Sequence, residues 1–251
     1  MLKKERQTII LDILNSEGRV ISSELSKRLN VSEDTIRRDL NQLAKNDLLK
    51  KVHSGATILG PSVTNFEYRS NIKNEEKEKL VKLALPLLEE HSVFFVDGST
   101  TNLKFVEALP TNFKGTMITN SPYIAIAAIQ KKELVTISLG GNFAKRSAVY
   151  LGETTIKEID TIRADYYLMG IHNLDATIGA TVNTQQESFT KLKMAEHSEQ
   201  VIAIATKEKI GTVSHYVSCP IDRISYLVTD STNDALLTKF ENSQIDIITL
   251  N

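Results

Sequence analysis

Two stretches of the 251-residue chain carry residue types that could recognise an anion. In VSEDTIRRDL, adjacent arginines Arg37 and Arg38 each follow a carboxylate by four residues, Glu33 and Asp34 respectively. In VFFVDGSTTNLKFVEAL, an apolar run ends at Asp97 and passes through Gly98, Ser99, Thr100 and Thr101 into a helical pattern. Arginine can fork onto a guanine edge or a phosphate, and a glycine–hydroxyl turn ahead of a helix offers backbone N–H groups to an anion. Each stretch also has a plainer reading. The arginines could be two i,i+4 ion pairs on a solvated face, worth about 0.3–0.5 kcal/mol each. The loop could be an ordinary capped strand-to-helix turn.

The elements around Arg37 and Arg38 decide the first case. RQTIILDILNSEG has helical periodicity, with Ile9, Ile13 and Leu14 expected on one stripe and Gly18 as the stop. A short extended piece, Arg19–Ile21, leads to Ser22 as the expected cap of a helix carrying Leu25 and Leu29. Asn30 and Val31 make a turn, and Ser32 is placed to cap a helix running to about Lys45. At about 100° per residue, Ile36, Leu40 and Leu43 form its buried stripe, with Asp34, Arg38, Asn41 and Lys45 opposite. LLKKVHSGATIL then reads as a hairpin turning at Ser54–Gly55. This order is that of a winged helix-turn-helix, in which the second helix of the motif enters the major groove by its N-terminal end. Ser32, Thr35, Arg37 and Arg38 occupy that end, with Asn41 on the same outward side. The helix dipole gives exposed arginines nothing there, whereas DNA does, so the nucleic-acid reading prevails in this context.

Charge supports the division. Residues 1–60 carry 11 Lys+Arg against 8 Asp+Glu, a balance of +3, and the remainder carries 19 against 23, giving the overall −1. A basic head on an acidic body is expected when only the head meets phosphate. A winged head over 1–58, a linker over 59–72 containing Gly60–Pro61, and an α/β domain over 73–251 are predicted.

In that last segment seven apolar runs alternate with helical stretches: 93–96, 116–119, 134–139, 166–170, 201–205, 226–229 and 245–250. This alternation predicts a mainly parallel sheet covered on both faces, with ligands bound beyond the carboxyl ends of the strands. Asn120–Ser121 and Gly140–Gly141 are further small polar loops at such ends, so a shared cleft is expected. The absence of a Walker lysine argues against a nucleotide triphosphate. One cysteine and five histidines show no metal-ligand spacing, so neither metal nor cofactor is expected. No apolar run approaches a membrane span or a signal-peptide core, which predicts a soluble cytoplasmic protein.

VSEDTIRRDLNQLAKNDLLKKVHSGA resembles the N-terminal signature of the DeoR family of bacterial transcriptional regulators, with its TIRRDL helix and glycine wing. Ser54 stands where the family usually has a first wing glycine. The resemblance implies Thr35, Arg37 and Arg38 as DNA contacts and Lys50, Lys51 and His53 as wing contacts to phosphate. It extends to the family's effector domain, related in fold to ribose-5-phosphate isomerase, which senses phosphorylated sugars or related metabolites. Asp97, Gly98, Ser99, Thr100, Thr101, Asn120, Ser121, Gly140, Gly141, Lys191 and Lys209 match its loop positions. For the two lysines the competing reading is solvent exposure. Three departures bear on the ligand: Gly98 precedes Ser99, Thr206 replaces an aspartate, and His172 stands where small residues are usual. The expected protein is a repressor of operator DNA, homodimeric or homotetrameric, controlled by a phosphorylated metabolite. The alternative is an isomerase- or transferase-like enzyme with an accessory head, using Asp97, Glu187 and His172 as acid–base groups. No nucleophile–base pair is legible for it, and no catalytic residue is assigned.

Overall fold

The computed structural model describes residues 1–46, 48–57 and 65–250. The expected Gly60–Pro61 linker stretch lies outside the described residues.

The head runs α1 (Lys3–Glu17), β1 (Arg19–Ile21), α2 (Ser22–Leu29), α3 (Glu33–Lys45), β2 (Lys50–Val52) and β3 (Gly55–Thr57). Gly18 ends α1 in the left-handed region, its N–H donating to the Leu14 carbonyl at 2.7 Å. Ile10 and Leu14 are the buried apolar residues of α1 and Ile13 packs partly buried on the same core, so of the expected stripe only Ile9 is misplaced, being exposed. Ile10 and Leu14 are four apart and share a face, and Ile9 falls about 100° away, toward solvent. Ser22 does not cap α2: it is the first helical residue, Ile21 holds the cap position, and the Ser22 N–H donates to the Ser54 carbonyl. The wing turn therefore satisfies a free N–H at the start of α2. Ile36, Leu40 and Leu43 pack against Ile10, Leu14 and Leu25 as expected.

The wing is β2–β3, and β3 also pairs with β1 in the order β1-β3-β2. Gly55 lies so close to the Val20 carbonyl that any Cβ would collide with it, while Ser54 is exposed at the turn. Only the second wing position needs glycine, so serine at 54 is accommodated.

The body contains α4 (Phe66–Ser70), α5 (Asn74–Ala84), β4 (Val93–Val96), α6 (Thr100–Ala108), β5 (Gly115–Thr119), α7 (Pro122–Ala127), β6 (Leu134–Ser138), β7 (Asn142–Ala144) and β8 (Val149–Leu151). It continues with α8 (Glu153–Asp160), β9 (Ala164–Gly170), β10 (Asn173–Asp175), β11 (Gly179–Val182), α9 (Gln185–Glu196) and β12 (Ser198–Ala205). β13 (Tyr216–Cys219), β14 (Tyr226–Thr229), α10 (Asp234–Leu237) and β15 (Asp246–Thr249) close the chain. The seven apolar runs are the seven strands of one parallel sheet, ordered β15-β14-β12-β9-β4-β5-β6. Two apolar clusters cover its faces, one around Phe95, Tyr167 and Met169, the other around Phe94, Leu168 and Ile204. A three-stranded antiparallel sheet, β10-β11-β13, and a β7–β8 hairpin flank it. Phe66 is buried and stacks on Tyr123 at 4.6 Å, anchoring α4 to the body. Among the described residues no helix is long and apolar enough to cross a membrane.

Candidate functional site

On the head, Ser32 caps α3: its Oγ accepts from the Thr35 N–H at 3.2 Å and lies 2.9 Å from Thr35 Oγ1. Arg37 pairs with Glu33 at 3.4 Å and Arg38 with Asp34 at 2.5 Å, with 64% and 78% of the arginine side chains exposed. Pairs so exposed contribute little stability and are free to exchange partners. Asn41 Oδ1 accepts from Lys51 Nζ at 2.5 Å, which joins the outer face of α3 to the wing, and His53 is exposed at the wing turn. Lys50 is held apart from this set, donating to the Val213 carbonyl of the body at 2.9 Å. Asp39, overlooked in the sequence, is a buried residue of α3 itself and pairs with Arg6 of α1 at 2.5 Å while accepting from Gln7 Nε2.

In the body, adjacency of β4, β9 and β12 brings their carboxyl ends together. A cavity of about 190 Å³ opens there. Asp97, Gly98, Ser99, Thr100, Thr101, Asn120, Lys191 and Lys209 line it, as do His172, Glu187 and Thr206. Ser121, Gly140 and Gly141 lie outside that lining. Ser121 is fully buried and donates to the Ala148 carbonyl; the Gly140 N–H donates to Glu158, and Gly141 packs on Thr155.

The Asp97 carboxylate is heavily engaged. Its Oδ2 accepts from the Tyr167 hydroxyl at 2.8 Å and the Gly170 N–H at 2.9 Å, and its Oδ1 from Asn102 and the Ser99 N–H. Lys191 adds an ion pair and donates to the Gly170 carbonyl at 2.8 Å. Burial, then the Asp97 charge, pushes the Tyr167 phenol well above its ordinary pKa. A methyl on Gly170 would collide with Ser99, so glycine there lets β9 approach the β4 loop. Ser99 meanwhile caps α6, its Oγ accepting from the Asn102 N–H at 3.0 Å. The loop is thus a capped turn and a cavity wall at once.

Four further cations line the cavity that sequence reasoning missed: Arg69, Lys73, Lys77 and Arg146. Arg69 sits on α4, in the stretch expected to be a linker, and Lys73 lies just past that stretch, before α5. Phe66 was the available signal, since a lone apolar residue there implies docking. Six cationic side chains thus face three carboxylates, Asp97, Glu187 and Glu208. Lys73 pairs with Glu208 at 2.8 Å, and Lys77 donates to the Arg69 and Ile72 carbonyls at 2.5 and 2.7 Å. Burial pushes Lys77 and Lys209 down to about 8, with Arg69 and other nearby cations adding to it. Burial likewise drives the His172 imidazole down to about 4, helped by Lys209, Arg69 and Lys191. His172 Nε2 lies 2.6 Å from Asn183 Nδ2. Excess positive charge this strong in a confined space favours an anionic occupant.

A helix-turn-helix head joined to a parallel α/β body with a cationic strand-end cavity defines a class of DNA-binding regulators carrying their own sensor domain. Residues 6–61 match the DeoR-like helix-turn-helix domain and residues 72–231 the DeoR C terminal sensor domain, and the chain belongs to the DeoR family of transcriptional regulators. It is 30% identical to the transcriptional regulator GolR of Listeria innocua, covering 98% of both chains. It is 28% identical to the transcriptional repressor GlcR of Bacillus subtilis, over 99% of this chain and 96% of that one. The glycerol-3-phosphate regulon repressor of Escherichia coli is also 28% identical, over 92% of each. Among solved structures, ribose 5-phosphate isomerase A of Neisseria gonorrhoeae aligns with a TM-score of 0.40 and 16% identity, over 57% of this chain and 54% of that one.

Proposed function

We propose that this protein is a repressor that binds operator DNA through α3 and its wing, and that a small phosphorylated metabolite, a sugar phosphate first among candidates, sets its operator affinity. The observation that carries the effector reading is the cavity's six cations against three carboxylates. An anion-seeking space of about 190 Å³ suits a small metabolite better than a dinucleotide. The name of the Escherichia coli relative, which ties it to a glycerol-3-phosphate regulon, supports the same ligand class.

Arg37 and Arg38 serve as base or phosphate contacts, Ser32, Thr35 and Asn41 as neighbouring polar contacts, and Lys51 and His53 as phosphate contacts from the wing. Two copies, as a homodimer or within a homotetramer, present two such helices to a repeated operator in the bacterial cytoplasm. The effector acts by binding the DNA-competent and incompetent forms unequally.

A regulator rather than an isomerase is favoured by the state of the would-be acid–base groups. Both Asp97 oxygens are engaged by hydrogen bonds and an ion pair. His172, depressed to about 4, is neutral and a poor base near pH 7. The test is fluorescence anisotropy on labelled DNA from upstream of the gene, at fixed salt because phosphate-dominated binding varies steeply with it. Competitor-resistant binding altered by one compound from a phosphosugar panel is expected. Sustained turnover of a phosphosugar by purified protein would overturn the regulator reading.

A further inference from the structure

Most cavity cations are already engaged. Lys191 is spent on Asp97, Lys73 on Glu208, and Lys77 on the Arg69 and Ile72 carbonyls. Arg69 and Lys209 differ: among the described residues neither makes a side-chain hydrogen bond or ion pair to a carboxylate, and the Arg69 Nε is buried with no acceptor. A buried guanidinium nitrogen left without an acceptor is costly unless something fills the place. Both side chains line the cavity, burial disfavours the charge of each, and the Arg69 guanidinium disfavours the Lys209 charge further, so an anion held by both would relieve them.

One of the two side chains belongs to a segment that touches the head, and the other follows the head in sequence. Arg69 stands on α4, the first described helix after it. Lys209 opens a stretch that returns to the head within four residues. There Gly211 packs against Gly18 so tightly that a Cβ on Gly18 would lie 3.0 Å from the Gly211 Cα, and the Val213 carbonyl accepts from Lys50 of the wing. The stretch is stiff. The Thr212 hydroxyl donates to the Lys209 carbonyl at 2.7 Å and accepts from Asn173 at 2.6 Å, and the Gly211 N–H donates to the Leu174 carbonyl. Movement at Lys209 is therefore carried to Gly211 and Val213.

We propose that the effector's anionic group is clamped between Arg69 and Lys209, and that the clamp fixes the 209–213 stretch so that it keeps Lys50 docked on Val213 and away from DNA. The clamp rests on the phosphorylated-effector reading and assigns it a direction, since Lys50 cannot serve Val213 and a DNA phosphate at once: effector releases the operator. Only a difference in ligand affinity between docked and undocked heads can produce this.

The experiment uses the full chain with inorganic phosphate as probe, chloride at equal ionic strength as control, and three readouts, the first being anisotropy on the labelled upstream DNA, where phosphate is expected to weaken binding. Calorimetric titration gives affinity, and amide hydrogen exchange reports on residues 18–22 and 207–214. The wild type is expected to bind phosphate with slowed exchange in both stretches. R69Q and K209Q are expected to bind at least tenfold more weakly with no change in exchange, and R69K to retain much of the affinity. Unaltered melting temperatures show that the variants are folded, and if R69Q fails that check, K209Q decides. Equal phosphate affinity in wild type, R69Q and K209Q overturns the clamp but leaves the phosphorylated-effector reading intact. Affinity lost in the variants while wild-type exchange at 18–22 stays unmoved overturns the coupling to the head. Failure of the wild type to bind phosphate or any compound of the phosphosugar panel overturns the effector reading and the clamp with it. Tighter operator binding in phosphate than in chloride overturns the direction.

Discussion

Lys191 bonds simultaneously to the Asp97 carboxylate and the Gly170 carbonyl, so one side chain of α9 ties together the ends of β4 and β9. Breaking a buried pair from one side leaves an uncompensated charge, which costs about 3–5 kcal/mol. K191M is expected to lose stability of that order in urea denaturation. The double variant D97N/K191M should lose less than the sum of the two single variants, because the stranded charge is gone. Simple addition of the two losses would show that the ion pair does not couple them.

The Arg6–Asp39 pair plays the corresponding part in the head, with 11% and 1% of the two side chains exposed. R6M should destabilise the head by about 3–5 kcal/mol, since among the described residues Asp39 keeps only Gln7 as a side-chain donor. Thermal unfolding followed by circular dichroism, alongside operator binding, checks this. An unchanged melting profile would show that Asp39 is solvated or protonated without Arg6.

Arg37 and Arg38 have the opposite profile, because their pairs with Glu33 and Asp34 are solvent-exposed. R37A and R38A should leave the melting temperature within a degree or two of wild type, yet weaken operator binding by about 1–3 kcal/mol each, roughly five- to 150-fold. Operator affinity equal to wild type in both variants would remove α3 as the reading element.

His172 gives a pH signature. Its folded pKa is about 4, below the unfolded value of 6.5, so between these values the unfolded chain binds more protons than the folded one. Its contribution is therefore present above about pH 6.5 and lost as pH falls toward 4, by up to about 3 kcal/mol. Urea midpoints from pH 7 to 4.5 should fall more steeply in wild type than in H172N. Parallel slopes would show that His172 titrates normally.

The parts of this molecule legible in its sequence are those in which local pattern and final environment agree. Ser32 caps α3, and Ile36, Leu40 and Leu43 are buried, because an amphipathic helix on a small core obeys its own period. The seven strands were legible because both faces of a parallel sheet are buried, which leaves unbroken apolar runs. Strands β10, β11 and β13 were missed: NLD, GATV and YVSC are too short and mixed to show a period, and they gain order only by pairing with one another. For the cavity, Asp97 to Thr101 and Asn120 announced themselves as strand-end loops. Arg69 and Lys77 did not, because a cation's value there depends on the fold bringing residues as far apart in sequence as Arg69 and Lys209 to one wall, which no local pattern records.

The division of labour between core and cavity wall has a practical consequence. Asn183, Thr184, Glu187 and Thr206 face the cavity, yet none belongs to the apolar clusters that hold the sheet together. A mutant library confined to these positions can therefore explore new chemical tastes without opening a hole in the apolar core, at the cost of a cap at Thr184 and a few polar contacts. Should the proposed effector site and operator binding hold, the same chain coupled to a reporter gene becomes a chassis for biosensors whose response is rewritten at the rim and read out at the promoter.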